Sequence, residues 1–388
     1  MSEIKVNSIK GVGASTAAIT VNNTDGTCTA NLTNRTNKNL IINGAMQVAQ
    51  RGTSSTSTGY QTVDRITMYH GGTDEAPTYS QADVASGTTP YSLGFRKCFK
   101  ITNGNQTSGA GAADEIQCDY LIEAQDLANS GWNYTSSSSF ITLSYWVKSS
   151  VAGEFKGHFK PNDGTAQNFS YSLGTLSADT WTKVTKTIPG NSNVQIDNNN
   201  GTGVQISLFS QMGTDYTSNS VTEDSWAAFT GSTRTRDQSL TWYTTNDATF
   251  EITGVQLEVG SVATDFEHRS YAQELALCQR YYYVYMPTSR YLANLGIGAY
   301  TGNGVQFELS IRYPSMRATP SLVQTTGTDY FAVYVHNNVT EYFDSFSTDQ
   351  LKQESTGLIT SNAGSHGGKA GRCRINNNSA SIAFSAEL

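Results

Sequence analysis

The residues of this 388-residue chain that could carry out acid, base or metal chemistry are few and scattered. The histidines show no HxxxH or other paired spacing, and none lies beside a cysteine pair of the kind that holds zinc or iron. They are His70, His158, His268, His336 and His366. No GxSxG elbow, P-loop or GxGxxG-to-helix motif is present to activate a nucleophile or to cradle a phosphate. The sequence therefore predicts no metal site and no enzyme.

Acidic residues offer two further kinds of chemistry, glycoside hydrolysis and calcium binding. Hydrolysis needs two carboxylates roughly 5–10 Å apart, and sequence alone cannot locate such a pair among 32 Asp and Glu residues. The stretches NNTDG, PNDGT and IDNNNGTG could offer oxygens to calcium, but none keeps the Dx[DN]x[DN]G order with a closing Glu. Turn formation explains these stretches better, because Asn and Gly readily adopt positive φ.

Aromatic residues are the remaining candidates for ligand binding. Sugars stack their apolar faces on aromatic rings, while amide and carboxylate side chains form hydrogen bonds with the sugar hydroxyls. Trp226 lies in a polar stretch, TEDSWAAFTGSTRTR, that also contains Arg234, and we predict a loop there. Tyr334 and His336, with Tyr342 nearby, form a second group near the end of a predicted strand. Packing is the competing interpretation for both groups, which are nevertheless the best candidates for glycan binding.

Charge and hydropathy exclude several classes of partner. Lys and Arg total 25 against 32 Asp and Glu, a formal charge of -7, and no basic block could neutralise a phosphate backbone. We therefore expect no nucleic acid partner. No run approaches the ~18 apolar residues of a membrane span, and the N-terminus lacks a basic region followed by an apolar one. Neither membrane insertion nor a cleaved signal is expected.

The cysteines are odd in number and scattered, unlike those of a disulfide scaffold. We expect reduced, mostly buried thiols at Cys28, Cys98, Cys118, Cys278 and Cys373.

The order of strand patterns divides the chain into four parts. Residues 1–38 contain two short alternating runs, EIKVNSI and TAAITVN, with too little apolar material for a core of their own. They either order by pairing with copies or a partner, or form a flexible tail. Residues 39–268 hold about eleven short strands between turn clusters, which predicts an antiparallel jelly roll or β-sandwich. In FITLSYWVKS both faces carry large side chains, which indicates a central strand.

Residues 269–285 break the strand pattern. Ser270 and Gln273 have the spacing of a capping box, and Tyr271, Leu275 and Cys278 recur at helical spacing. We predict a short connecting helix with a buried apolar stripe, followed by the cluster Tyr281, Tyr282 and Tyr283. The helix is expected to pack between two β domains or against its copies in an oligomer.

Residues 286–388 return to seven strand patterns and predict a smaller C-terminal β-sandwich head. The whole chain is predicted to be mainly β.

Several of these stretches together resemble tail fibres and related receptor-binding virion proteins of tailed bacteriophages, especially those of marine hosts. They are NLIINGAMQVAQRG, FITLSYWVKS, TFEITGVQLEVGSVATDFEHRSYAQELALCQRYYY and SIAFSAEL. The resemblance implies a homotrimeric fibre in which residues 1–38 attach to phage tail or adaptor proteins. It also implies distal β domains that meet host surface polysaccharide or lipopolysaccharide.

The middle domain also resembles jelly-roll carbohydrate-binding modules, whose first and last strands correspond to NGAMQ and ITGVQLE here. Gln47 and Thr253 stand where the family commonly has acidic residues that support a structural calcium ion, so calcium is left open and no other cofactor is expected. The family's usual Asp-Arg-Trp reads Asp64-Arg65-Ile66 in this chain.

These resemblances imply a non-enzymatic tail fibre that serves in host adsorption, made in the host cytoplasm and located in the virion. A purely structural or decorating virion protein of the capsid or tail is the alternative. A glycan depolymerase is a third interpretation.

Overall fold

The computed structural model describes residues 7–10, 12, 19–21, 28–30, 37–301, 306–335, 339–360, 363–364 and 366–388. Within these ranges the chain is mainly β with antiparallel sheets, as the sequence predicts. Near the N-terminus, β1 (Ser8–Ile9), β2 (Ile19–Val21) and β3 (Cys28–Ala30) form a small antiparallel sheet in that order. No helix in the described ranges is both long and apolar enough to span a bilayer.

A sandwich of two six-stranded sheets forms the middle of the chain. The front sheet has the strand order β14-β11-β10-β13-β8-β5 and the back sheet the order β12-β9-β15-β7-β6-β4. The front strands are β5 (Ile66–Gly71), β8 (Glu115–Glu123), β10 (Gly153–Pro161), β11 (Gln167–Leu176), β13 (Thr202–Met212) and β14 (Ser225–Ala228). The back strands are β4 (Ser54–Ser55), β6 (Thr78–Asp83), β7 (Lys97–Thr102), β9 (Phe140–Ser149), β12 (Thr182–Pro189) and β15 (Thr249–Val259). Two short helices, α1 (Thr89–Ser92) and α2 (Ala124–Ala128), lie in the connections.

Side-chain alternation explains how the two sheets close on one core. In β8, Ile116, Cys118 and Tyr120 point into the core between the sheets, whereas Glu115 and Gln117 alternate with them. Strand β9 lies between β12 and β15 and is buried along most of its length. This confirms the prediction of a central strand, which is based on the large side chains on both of its faces.

The predicted helix is present as α3 (Tyr271–Gln279), with the capping box of Ser270 and Gln273 formed in both directions. Within one chain the predicted apolar stripe is only partly buried. Tyr271 is 55% exposed and Leu275 is half-buried, while Glu274 and Cys278 are buried. The helix is turned this way because Arg269 binds the carbonyl oxygens of Asn39 and Ile41 and pairs with Glu274 at 3.0 Å. The buried face thus carries a paired acid that hydrophobic spacing does not reveal.

The C-terminal unit is a smaller sandwich with its own core. One sheet has the order β16-β25-β19, and the other the order β21-β20-β24-β17-β18-β23-β22. The strands of the first are β16 (Tyr282–Met286), β19 (Ser321–Thr325) and β25 (Ser381–Ser385). Those of the second are β17 (Asn294–Tyr300), β18 (Phe307–Arg312), β20 (Phe331–Tyr334), β21 (Thr340–Phe343), β22 (Phe346–Asp349), β23 (Ser355–Thr360) and β24 (Ala370–Ile375).

The two sandwiches meet at an arginine and tyrosine cluster. Arg65 is buried, forms an ion pair with Glu387, and donates to the carbonyl oxygen of Leu121 at 2.6 Å. Its guanidinium carbon lies 3.5 Å from the ring centre of Tyr281. Arg51 pairs with the same Glu387 at 3.1 Å and lies 3.6 Å from the ring centre of Tyr282. Tyr281 and Tyr282 are therefore buried between the two units of one chain.

The same interface is completed by polar contacts at its edge. Arg280 pairs with Glu123 at 2.9 Å, and Arg317 binds the carbonyl oxygens of Asn200, Ala386 and Glu387. Tyr283 lies beside this interface, half-buried against the core of the C-terminal unit.

The cysteines whose side chains are described, Cys98, Cys118, Cys278 and Cys373, are buried and free, which confirms that prediction for them.

Candidate ligand-binding groove

A row of polar side chains crosses the outer face of the front sheet, opposite the core. Strand register places them side by side on six neighbouring strands: Thr67, Asp119, Ser207, His158, Ser170 and Ser225. Each alternates with a core residue on its own strand, as Asp119 does with Cys118 and Tyr120. The sheet therefore brings together residues that are more than 150 positions apart in the chain.

Two residues of this row, Asp119 and His158, form the floor of a groove with a volume of about 490 Å³, which is within the roughly 300–1,000 Å³ range of small-ligand sites. The residues lining it are Tyr69, Glu115, Gln117, Asp119, His158, Lys160, Gln205, Phe229 and Arg234. The side chain of Tyr69 is half-exposed, and the Nζ of Lys160 lies 4.5 Å from the ring centre of Phe229. Two rings thus flank a polar floor.

Part of the groove wall is a strap of residues 229–237, which follows β14. Arg234 fixes the strap: its guanidinium pairs with Glu115 at 2.9 Å and its carbonyl oxygen accepts from the Nδ2 of Asn168 at 2.8 Å. The ring of Tyr216 lies 4.5 Å from the same guanidinium. The predicted candidate Arg234 therefore belongs to the groove.

The structure places Trp226 differently from the prediction. It lies on β14 rather than in a loop, half-buried, with its ring centre 5.4 Å from that of Phe169 and 6.1 Å from that of Phe159. Its Nε1 donates to the carbonyl oxygen of Pro189 at 2.7 Å. One edge lines a smaller hollow of about 220 Å³. Trp226 packs against the core, and the structure does not bring it into the groove beside Arg234.

Burial shapes the protonation of the groove floor. Burial lowers the pKa of His158 to about 3, and the positive charges of Arg234 and Lys160 add to the effect. His158 is therefore neutral at pH 7, with one nitrogen that donates and one that accepts. Burial raises the pKa of Asp119 to about 6, although the neighbouring polar groups of Ser207 and Gln205 and the positive charge of Arg234 oppose the shift. Asp119 is largely ionised at pH 7.

Two polar atoms of the floor are buried without a hydrogen-bond partner within the described chain. They are the Nδ1 of His158 and the Oδ1 of Asp119. The other oxygen of Asp119 accepts from the Nε2 of Gln205 at 2.7 Å. Leaving a buried polar atom unpaired costs about 1–3 kcal/mol, so a ligand that supplies hydroxyl groups at these positions recovers that cost.

The second predicted group lies elsewhere, on the open face of the seven-stranded C-terminal sheet. Tyr342 is paired with Ala332 and Thr340 with Tyr334 across β20 and β21, which puts both tyrosines on one face. His336 lies outside the described residues. Sequence reasoning missed the groove residues on β8 and β10, although the polar positions of EIQCDYLIE already alternate with apolar ones.

Protein groups contact one another in the region where the resemblance left calcium binding open. Glu258 accepts from the backbone nitrogen of Thr264 and from the Nε2 of Gln256, both at 2.8 Å. Thr253 donates to the carbonyl oxygen of Lys97, and the backbone oxygen of Gln47 accepts from Gln81. Among the residues the structure describes, no three His, Cys, Asp or Glu side chains cluster as metal ligands would.

Comparison with known proteins gives matches only among solved structures. No protein-family profile matches the chain, and no curated protein matches it. The enzymatically active domain of tailspike protein 4 of bacteriophage CBA120 is 10% identical, with a TM-score of 0.30, and the match covers 57% of this chain and 21% of that one. A carbohydrate-binding module of family 4 is 15% identical at a TM-score of 0.30, covering 56% and 98%. The tandem CBM22-1–CBM22-2 domain of Paenibacillus barcinonensis Xyn10C is 8% identical at 0.25, covering 83% and 93%.

Proposed function

We propose that this chain binds a polysaccharide in the groove of the front sheet. The observation that carries the proposal is the pair of unpartnered buried atoms, the Nδ1 of His158 and the Oδ1 of Asp119, on a floor flanked by Tyr69 and Phe229. Sugar hydroxyls both donate and accept, and therefore match a neutral imidazole beside a carboxylate. The faces of pyranose rings match the flanking aromatic side chains.

We also propose that the protein is not an enzyme. Glu115 and Asp119 are the two acids that line the groove. Glycoside hydrolysis needs two carboxyl groups that are both available to the substrate. The Oε2 of Glu115 is instead bound by Arg234 and by Gln117. Purified protein incubated with a bound polysaccharide should release no new reducing ends; their release would establish a depolymerase instead.

The biological setting we propose is a tail fibre of a tailed phage. Its support is the sequence resemblance carried by the stretches around Asn39, Phe140 and Thr249. In this proposal residues 1–38 attach the chain to tail or adaptor proteins in the virion, and the β units meet host polysaccharide or lipopolysaccharide. A glycan array separates this function from the alternative of a purely structural virion protein, which would bind no glycan above background.

Substitution of Tyr69 should weaken glycan binding without unfolding the chain. Its ring is half-exposed at the groove edge, and aromatic stacking contributes about 0.5–1.5 kcal/mol, so Tyr69→Ala should weaken binding about two- to tenfold. The measurement is titration calorimetry with the best glycan from the array, alongside a thermal melt of each variant.

The matched control is Tyr291→Ala, which removes an equally exposed tyrosine from the C-terminal unit. It should bind as the parent does. Equal binding by Tyr69→Ala and the parent would place the glycan outside the groove.

We further infer a homotrimer, which the resemblance to tail fibres implies. On α3, Tyr271 is exposed and Leu275 only half-buried within a single chain, so that other copies can cover them. Light scattering should then report about three times the 41.9 kDa protomer. If another copy covers Leu275, Leu275→Ala should cost about 2–5 kcal/mol per chain. A stable monomer in which Leu275→Ala melts like the parent would contradict the trimer and the role of α3 in it.

A further inference from the structure

The open face of the seven-stranded sheet carries two arginines beside a tyrosine. Arg372 and Arg374 are two residues apart on β24, so their side chains share one face with Cα atoms about 7 Å apart. Their guanidinium carbons lie 5.5 Å and 3.9 Å from the ring centre of Tyr334. Together with Tyr342, which is 45% exposed, these residues form what we call the arginine face.

The charges of the arginine face are not balanced by acids. Five other arginines pair with carboxylates in this chain: Arg51, Arg65, Arg234, Arg269 and Arg280. Within the described residues, no carboxylate lies at ion-pair distance from Arg372 or Arg374, and the Nε of Arg374 is buried without a hydrogen-bond partner.

The neighbouring strands supply no acid either. On the β17 side, register places Asn294 opposite Arg374 and Ile297 opposite Arg372. On the β20 side the opposite residues are Ala332 and Tyr334. The nearby carboxylate of Glu341 is held by His366 at 2.7 Å. In a chain whose net charge is -7, two adjacent uncompensated cations repel each other, and an anion bound between them removes that repulsion.

We propose that the arginine face is a second ligand site, which binds an acidic sugar. Guanidinium groups bind planar carboxylates through paired hydrogen bonds. Tyr342 lies opposite Ala332, and Ala332 lies opposite Arg374, so the Cα atoms of Tyr342 and Arg374 are two strand spacings, about 10 Å, apart on one face. A pyranose that stacks on Tyr342 can therefore present its own carboxylate, or that of the next residue, to the arginines. The assignment of the ligand to a sugar rests on the proposed glycan recognition, whereas the binding of a carboxylate by the arginines does not.

The test compares a hexamer of galacturonic acid with its methyl ester, which has the same backbone but no free carboxylate. The acid should bind the parent protein in titration calorimetry at low salt, and binding should weaken as salt is added. A charged hydrogen bond contributes about 1.5–3 kcal/mol, so both Arg374→Gln and the double variant with Arg372→Gln should bind at least about tenfold more weakly. The ester should bind the parent as weakly as the acid binds the double variant.

Arg312→Gln is the matched control, because Arg312 is exposed on β18 of the same sheet. It should bind the acid hexamer as the parent does. Equal binding of acid and ester, or full binding by the double variant, would overturn the site. Displacement of the hexamer by an equal concentration of inorganic phosphate would show that charge alone is recognised, and would overturn the assignment to a sugar.

The two proposed sites, the groove and the arginine face, can be tested independently. Tyr69→Ala should weaken binding of a neutral glycan and leave binding of the acid hexamer unchanged, whereas Arg374→Gln should do the reverse. Loss of acid binding in Tyr69→Ala would place the acidic sugar in the groove and would overturn the second site while leaving the first.

Discussion

Replacing Arg65 by methionine should destabilise the chain by about 3–5 kcal/mol, because it leaves a buried carboxylate without its main partner. The side chains of Arg65 and Glu387 are 1% and 7% exposed, and Arg65 also donates to Leu121 and stacks on Tyr281. Arg51 still reaches Glu387, at 3.1 Å, which favours the lower end of that range. Urea unfolding of Arg65→Met should show the loss and, because the pair joins the two sandwiches, a separation of their transitions.

Two variants show whether burial causes this effect. Lys97→Ala removes a surface ion pair, Lys97 with Asp83, and should cost no more than about 1 kcal/mol. The double variant Arg65→Met with Glu387→Leu removes both charges of the pair and should recover part of the stability, because Arg51 then loses its carboxylate partner. If Arg65→Met unfolds like Lys97→Ala, the arginine and tyrosine cluster does not hold the two units together.

The sequence predicted helix α3, but it did not predict the contacts that join the two sandwiches. Ser270 and Gln273 are three residues apart, so their capping box follows from local chemistry. The pair Arg65 and Glu387 joins residues 322 positions apart, and nothing in either local sequence indicates the other. The orientation of α3 depends on the same kind of information, since Arg269 is anchored by the backbone at Asn39 and Ile41.

A similar limit applies to the groove. In the sequence of β8 the polar residues Gln117 and Asp119 alternate with Ile116 and Cys118, and in the structure the two apolar residues lie in the core while the two polar ones line the groove. The strand order of the sheet places β13 beside β8 and β10 beside β13, and these strands come from about 85 and 40 residues further along the chain than β8. His158 could therefore not be paired with Asp119 from sequence. Trp226 was misplaced because its polar neighbours suggested a loop, whereas the pairing of β14 with β11 makes it an edge strand.

Changing Asp119 to asparagine should stabilise the fold and weaken glycan binding. The pKa of Asp119 is about 6 in the folded chain against an ordinary 3.8, chiefly because of burial. Ionisation is thus unfavourable in the fold, and as pH falls from 6 towards 3.8 the folded chain takes up the proton before the unfolded chain does. The parent gains stability from this group across that window. Above pH 6 the buried charge costs about 3 kcal/mol, and Asp119→Asn should recover much of this at pH 7.5, where His158 is neutral in both states.

The same substitution removes the charged acceptor that we assign to a sugar hydroxyl. Hydrogen bonds to charged groups contribute about 1.5–3 kcal/mol, so Asp119→Asn should bind the glycan about 10- to 150-fold more weakly at pH 7.5. Binding by the parent should weaken as pH falls through 6, and that step should vanish in the variant. Urea unfolding and titration calorimetry at pH 7.5 and 5 measure both effects. A carboxylate with only a structural role would lower stability when replaced and leave binding unchanged, and that pair of results would remove Asp119 from the site. Higher stability with weaker binding is expected of a group whose burial serves a ligand, since the fold compensates the charge of Asp119 only in part and the bound sugar completes it.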